Sequence, residues 1–255
     1  MYKTTEITSA EIASDNPVHQ RLLFPYVEAA KLVSGQVLEI GCGWGRGLEL
    51  LTQAADQYTG IDKNGDLIAA LQQAYPKSTF IAASIPPLTG LADNSFDYIV
   101  TFQVIEHIEN DDLFIREAHR VLKPGGKLLL TTVNRSFSLT RNPWHVREYV
   151  ADELKALIGR HFRTVETQGV HGNGKVMTYY EQNKKSVERF TRWDIFNLQY
   201  RLPRRLLQVP YDIANRMNRN RLLKQDGLAA EIRHTDYLLS DNPAGSLDFF
   251  YIATK

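Results

Sequence analysis

The chain has 255 residues, 43% hydrophobic and 23% charged, with a formal net charge of +1, an ordinary balance for a globular protein. A charge so close to zero excludes a bulk electrostatic pull toward nucleic acid, and a single cysteine, Cys42, excludes an intramolecular disulfide and any cysteine-cluster zinc site. No apolar window reaches the roughly 18 residues that a membrane helix needs, and the polar start MYKTTEITSAEIASDNP has no apolar signal region, so a cytoplasmic protein is expected.

Residues 1–15 are polar. Asp15 or Asn16 can cap a helix with Pro17 in its first position. Val18, Leu22, Tyr26, Ala29 and Leu32-Val33 continue it as an approximate helical stripe, which ends at Ser34-Gly35. Val37 to Ile40 then reads as a short buried strand, and Leu48, Leu50 and Leu51 as the start of a helix. Between them stand Gly41, Gly43, Gly45 and Gly47. A glycine-rich turn from strand to helix lets a ligand lie on bare backbone beside the N–H groups of the helix start. The spacing is not the dinucleotide fingerprint G-x-G-x-x-G/A, because its sixth position is Arg46 counted from Gly41 and Leu48 counted from Gly43. Glu39 is more telling: a buried strand seldom carries a carboxylate without a partner.

Tyr58 to Asp62 is a second strand ending in an acid, about 20 residues beyond the glycine loop, where a ribose diol needs a bidentate acceptor. Asp62 read alone could equally be a helix cap. A helix through Leu67 and Leu71 leads to a third strand, Thr79 to Ala83, followed by Ser84-Ile85. Phe96 to Phe102 is the fourth strand and runs into Gln103-Val104-Ile105-Glu106-His107. A helix over 111–122 ends at Lys123-Pro124-Gly125-Gly126, and Lys127 to Val133 is the fifth strand. Alternation of strands and helices predicts right-handed crossovers and a parallel sheet covered on both faces. Residues 134–150 are irregular, a helix follows over 151–159, and strands are expected at 162–170 and 246–253.

About 75 residues lie between those last two strands, too many for a plain loop. Helical spacing covers Lys184 to Tyr200. Pro203 and Pro210 break it, with a further helix expected over 211–223. From Glu181 to Lys224 the segment carries eleven basic residues against four acids. Arginines and lysines interleaved with Trp193, Phe196, Tyr200, Leu206 and Leu207 suit an anionic membrane surface or a phosphate-bearing lipid or glycolipid. A solvated cap or a homodimer interface fits the same residues.

VLEIGCGWGRG, then GID, then SFDYIVTFQVIEHIEN, then RVLKPGGKLLLTTVN, in this order, resemble the class I S-adenosylmethionine-dependent methyltransferases of the small-molecule type. The resemblance covers residues 16–170 and the final strand. It implies an α/β, Rossmann-like, doubly wound sheet of seven strands in the order 3-2-1-4-5-7-6, strand seven antiparallel. It divides the chain into a helical lid at 1–35, a core at 36–170 and 246–255, and a helical cap at 171–245. It implies S-adenosyl-L-methionine as cofactor, with Gly41, Cys42, Gly43 and Gly45 along its methionine and ribose, and Glu39 organising the loop and the amino group. Asp62 would take both ribose hydroxyls, Lys63, Ser84 and Ile85 would meet the adenine, and Gln103 and Val104 the methionyl chain. Ser84 departs from the family's usual Asp, and Trp44 is large for its place. His107 and His145 are the candidate bases, needed only where the acceptor must lose a proton. Trp144, Arg147 and Tyr149 are the candidate acceptor contacts. The expected reaction is methyl transfer to a small-molecule or lipid- or glycan-linked acceptor. RNA modification and non-catalytic cofactor binding are the alternatives, with nucleic acid disfavoured because no base-flipping motif or appended RNA-binding domain is visible. No metal ligand set is expected.

Overall fold

The computed structural model describes residues 11–192, 194 and 196–255. Residues 1–10 of the expected lid, and Trp193 and Ile195 of the insertion, lie outside them. Eight strands form one sheet in the order β3-β2-β1-β4-β5-β8-β6-β7. They are β1 (Gln36–Ile40), β2 (Gln57–Asp62), β3 (Thr79–Ala82), β4 (Phe96–Phe102), β5 (Leu122–Val133), β6 (Thr164–Gly172), β7 (Tyr237–Ser240) and β8 (Asp248–Thr254). The first five pair in parallel. The final strand, β8, slots between β5 and β6, antiparallel to both, in the place expected of the seventh strand. The difference from a seven-stranded sheet is β7, four residues that pair antiparallel with the outer edge of β6. So short a strand, half of it polar-flanked, has no period to read, and it exists because the returning insertion finds an open edge.

The helices are α1 (Asn16–Ala29), α2 (Leu48–Ala54), α3 (Gly65–Ala74), α4 (Asp111–Val121), α5 (Ala151–Ile158), α6 (Gly174–Thr191), α7 (Leu198–Arg201), α8 (Arg204–Asp226) and α9 (Leu228–Glu231). Alternate strand residues feed two apolar layers. Val37, Val100, Leu129 and Phe250 face α1, α2 and the insertion, while Leu38, Ile99, Leu128 and Leu130 face α4 and α5. Coverage on both faces explains why the strands read as nearly unbroken apolar runs.

The insertion departs from its expected outline. α6 begins ten residues before Lys184, capped by Asn173, whose side chain accepts from the Lys175 and Val176 N–H groups. Pro210 does not stop a helix: α8 runs 23 residues through it. Pro210 lies on the exposed side, so the Leu206 carbonyl that loses its donor faces water instead of a buried void.

Candidate active site

The chain leaves β1 through three left-handed glycines, with φ of +82° at Gly41, +53° at Gly43 and +85° at Gly45. Other residues resist this conformation. At Gly41 a Cβ would also stand 2.4 Å from Val104 Cγ2, whereas at Gly43 it would meet nothing within 4 Å. The loop is therefore anchored at one glycine and open at the next. Asp62, at the end of β2, faces that opening. Its Oδ2 accepts from Gly43 N–H and its Oδ1 from Asn64 N–H, both at 2.9 Å. A carboxylate has about four lone-pair positions, so acceptor capacity remains for a diol. Ser84 is exposed and Ile85 half-buried just past β3, and Lys63 is exposed beside Asp62. Cys42 is buried, which pushes its thiol well above the ordinary range. Gln103 leaves β4 with φ of +57°, a conformation uncommon outside glycine.

Glu39 is 1% exposed, and the partners its sequence context demanded are two tyrosines. Tyr26 on α1 donates to Oε1 at 2.7 Å, and Tyr58 on β2 donates to Oε2 at 2.5 Å. Burial pushes the carboxyl upward and the two hydroxyls restrain it. Glu39 thus ties α1 to the sheet directly beneath the glycine loop. The same helix stacks His19 on Trp44, whose other neighbour is Arg46, 5.1 Å from its ring centre.

Past the glycine loop, toward the ends of β4 and β5, two adjoining hollows of about 220 Å³ each share Arg21, Asn142, His145, Tyr211, Asn215 and Arg219. Three chemistry-bearing side chains, Glu106, His107 and His145, line the second of them, and His145 lines both. Glu106 is 1% exposed, accepts from the Thr132 hydroxyl at 2.9 Å, and is pushed up to about 7 by burial. His107 Nδ1 lies 3.0 Å from the Trp144 carbonyl, so Nδ1 carries the proton; burial and then His145 push the ring down to about 4. His145 stands edge-on to His107 at 5.0 Å. Its Nδ1 is 2.7 Å from Glu148 Oε1 and its Nε2 is 2.8 Å from the Asn142 amide.

The other candidate residues divide. Trp144 lines this cavity and donates to Asp212 at 3.3 Å. Arg147 is exposed and ion-pairs with Asp111, and Tyr149 is 5% exposed with its hydroxyl 2.7 Å from the same carboxylate. Tyr149 lines none of the cavities described, and Asp111 at the start of α4 holds it. Arg147 lines a neighbouring hollow with Arg141, His145 and Tyr200. Two residues the sequence reading passed over, Arg21 and Asp248, line the hollow that holds Glu106 and His107. Asp248 is 1% exposed, paired by the Arg21 guanidinium and reached by Gln103 at 3.2 Å. Its signal was available: it is an acid inside an apolar strand, as Glu39 is.

Sheet order, glycine loop and Asp62 together define a Rossmann-like methyltransferase fold. Residues 38–130 match a methyltransferase domain family. A probable S-adenosylmethionine-dependent methyltransferase of Mycolicibacterium smegmatis is 37% identical over 179 residues, 67% of this chain and 69% of that one. The chain belongs to the S-adenosylmethionine-dependent methyltransferases, and S-adenosylmethionine is its cofactor. A ubiquinone biosynthesis O-methyltransferase of Xanthomonas oryzae is 32% identical over 48% of this chain, which spans about half, 51%, of that relative's length. A solved structure from Thermotoga maritima, described as a methyltransferase and possible histamine N-methyltransferase, overlays 93% of this chain and 91% of its own, with a TM-score of 0.58 at 16% identity, a likeness of fold.

Proposed function

We propose that the protein methylates a hydroxyl oxygen of a polyhydroxylated acceptor, a glycan or glycan-like headgroup, presented at a membrane surface. The observation that carries this reading is the reversed polarity of α8. Between residues 211 and 219 its inner side is polar, with Asp212 and Asn218 buried and Tyr211, Asn215 and Arg219 half-buried beside them, and it buries an apolar side chain, Leu222, only near its end. Its outer side carries Leu206, Val209, Ile213 and Met217, which are 64%, 56%, 47% and 60% exposed. A helix that only closed a core would be the other way round. The inner side lines the cavity, and the Asn218 side-chain oxygen Oδ1 there is buried with no partner among the described residues. A buried orphan of this kind is costly unless something polar fills the space.

The open backbone at Gly43 and the carboxylate of Asp62 fit a ribose-bearing cofactor, as an exposed Cβ-free turn beside a pre-oriented acceptor should. Bound there, S-adenosylmethionine supplies a methyl group activated on a sulfonium. The chain's own part is mostly placement, which accounts for about 7–11 kcal/mol of barrier in well-oriented reactions. Asp62 and the glycine loop hold one reactant, and the α8 lining orients the other. Glu106, His107 and His145 face the acceptor hydroxyl and ease the loss of its proton. The O-methyltransferase named among the relatives is in keeping with an oxygen acceptor. Outward, Arg201, Arg205, Arg221 and Lys224 flank the apolar stripe, a pattern matched to an anionic lipid surface.

The test is incubation with labelled cofactor and three acceptor pools: lipid-linked glycans, free sugars and apolar phenols. A one-methyl mass gain confined to the hydroxyl-rich pools is expected. Labelling of the phenols alone would overturn the reading.

A further inference from the structure

We propose that Glu106, His107 and His145 form a binding site for one divalent first-row transition-metal ion. Glu106 and His107 lie on the turn after β4, and His145 lies on the loop after β5. One ligand atom from each falls within 4.8 Å of the other two. Ligands at about 2.0–2.2 Å from a shared ion stand roughly 3–3.5 Å apart, so rotation of the side chains closes the gap.

The surroundings are those of ligands. A metal-binding histidine nearly always donates its other ring N–H to a carbonyl or carboxylate, which fixes the tautomer and the ring plane. His107 does so to the Trp144 carbonyl at 3.0 Å and His145 to Glu148 Oε1 at 2.7 Å. With Nδ1 donating in each, Nε2 is the nitrogen left as the ligand atom in both rings. Glu106 is 1% exposed, and its recorded side-chain bond is the Thr132 hydroxyl; among the described residues no lysine or arginine ion-pairs with it. A buried carboxylate without a cation is costly, and a metal ion removes that cost. The Asn142 amide now sits on His145 Nε2 and rotates aside when the ion enters.

Two imidazoles and one carboxylate suit Mn²⁺, Co²⁺ or Zn²⁺ and not the all-oxygen preference of Ca²⁺ or Mg²⁺. Three protein ligands leave positions open to the cavity. Resting on the reading that a hydroxyl-rich acceptor enters there, those positions take neighbouring hydroxyl oxygens. The ion lowers the hydroxyl's proton affinity: the O–H bond breaks, its electron pair stays on oxygen, and the proton passes to solvent water.

Co²⁺ titration of the untagged full chain, read by its visible absorption, with Mn²⁺ counted by electron paramagnetic resonance, tests the site. One ion per chain is expected. Glu106→Gln and His145→Ala should each weaken binding more than about tenfold, and Glu148→Gln by about 10–100-fold through the lost carboxylate on His145. S-adenosylhomocysteine calorimetry on each variant checks that it is folded. Absence of saturable binding, or equal binding by the folded variants, overturns the proposal. Methyl transfer that persists at full rate in chelator also overturns it while leaving the acceptor reading intact. Stoichiometric metal that Glu106→Gln abolishes, without transfer to any polyol, keeps the site and removes the acceptor reading.

Discussion

Asp62 holds its two oxygens under backbone N–H groups of Gly43 and Asn64, so on the reading proposed above a ribose diol would meet an acceptor that needs no reorientation. Asp62→Ala removes hydrogen bonds to a charged group, worth about 1.5–3 kcal/mol each. S-adenosylhomocysteine should then bind at least about tenfold more weakly by calorimetry. His145 is held from both ring nitrogens and lies outside the glycine loop. His145→Ala is expected to lower turnover by about 10²–10⁴-fold with cofactor affinity unchanged; loss of both together would place the ring in the cofactor pocket instead. Glu39 belongs to neither role directly. Tyr26→Phe leaves one of its oxygens without a donor in a buried site, a cost of about 1–3 kcal/mol that urea unfolding should register.

Among the elements, the contact of the insertion with the start of α1 is the most charged. Asp15 is fully buried and is paired by Arg216 at 2.7 Å and Arg219 at 2.9 Å, both from α8. Burial alone would raise its carboxyl, but the two guanidiniums more than reverse that and hold it below the ordinary value of 3.8. The folded value is depressed, so the pairing contributes fully above pH 3.8 and is lost as pH falls through the lower folded value. Asp15→Asn should cost up to about 3 kcal/mol near neutrality. The gap between wild type and variant in chemical denaturation should close below pH 3.8. The same junction joins cap and cofactor side, because α1 also carries Tyr26 to Glu39 and Arg21 to Asp248.

For the whole molecule, a net charge of +1 conceals a division: the insertion is strongly basic and the remainder acidic. Most of the large exposed apolar side chains, Phe190, Phe196, Leu198 and Tyr200 among them, also fall in the insertion. Each basic residue near an anionic leaflet contributes about 1 kcal/mol, and salt screens it within about 10 Å at 0.1 M. The protein should sediment with phosphatidylglycerol vesicles at low salt, be released at high salt, and ignore phosphatidylcholine. Leu206→Asp with Met217→Asp should abolish the binding without altering cofactor affinity. Vesicle-independent dimerisation abolished by the same pair would assign the stripe to a second copy. No helix among the described residues is long and apolar enough to cross a membrane.

The strands along the chain, the glycine loop and the need of Glu39 for a partner were legible from local rules, namely apolar runs, left-handed turns and the cost of a buried charge, whereas the order of the strands in the sheet came only from the family resemblance. β7 and the length of α8 were not legible, since an edge strand depends on a neighbour and Pro210 is tolerated only where its freed carbonyl meets water. The acceptor side was legible least. His107 and His145 stand out as residue types, but that His145 meets the adjacent pair Glu106-His107 is decided only by packing between loops about 40 residues apart. That α8 turns its polar side inward was settled by what it faces, since a helix stripe has no inside until the fold supplies one.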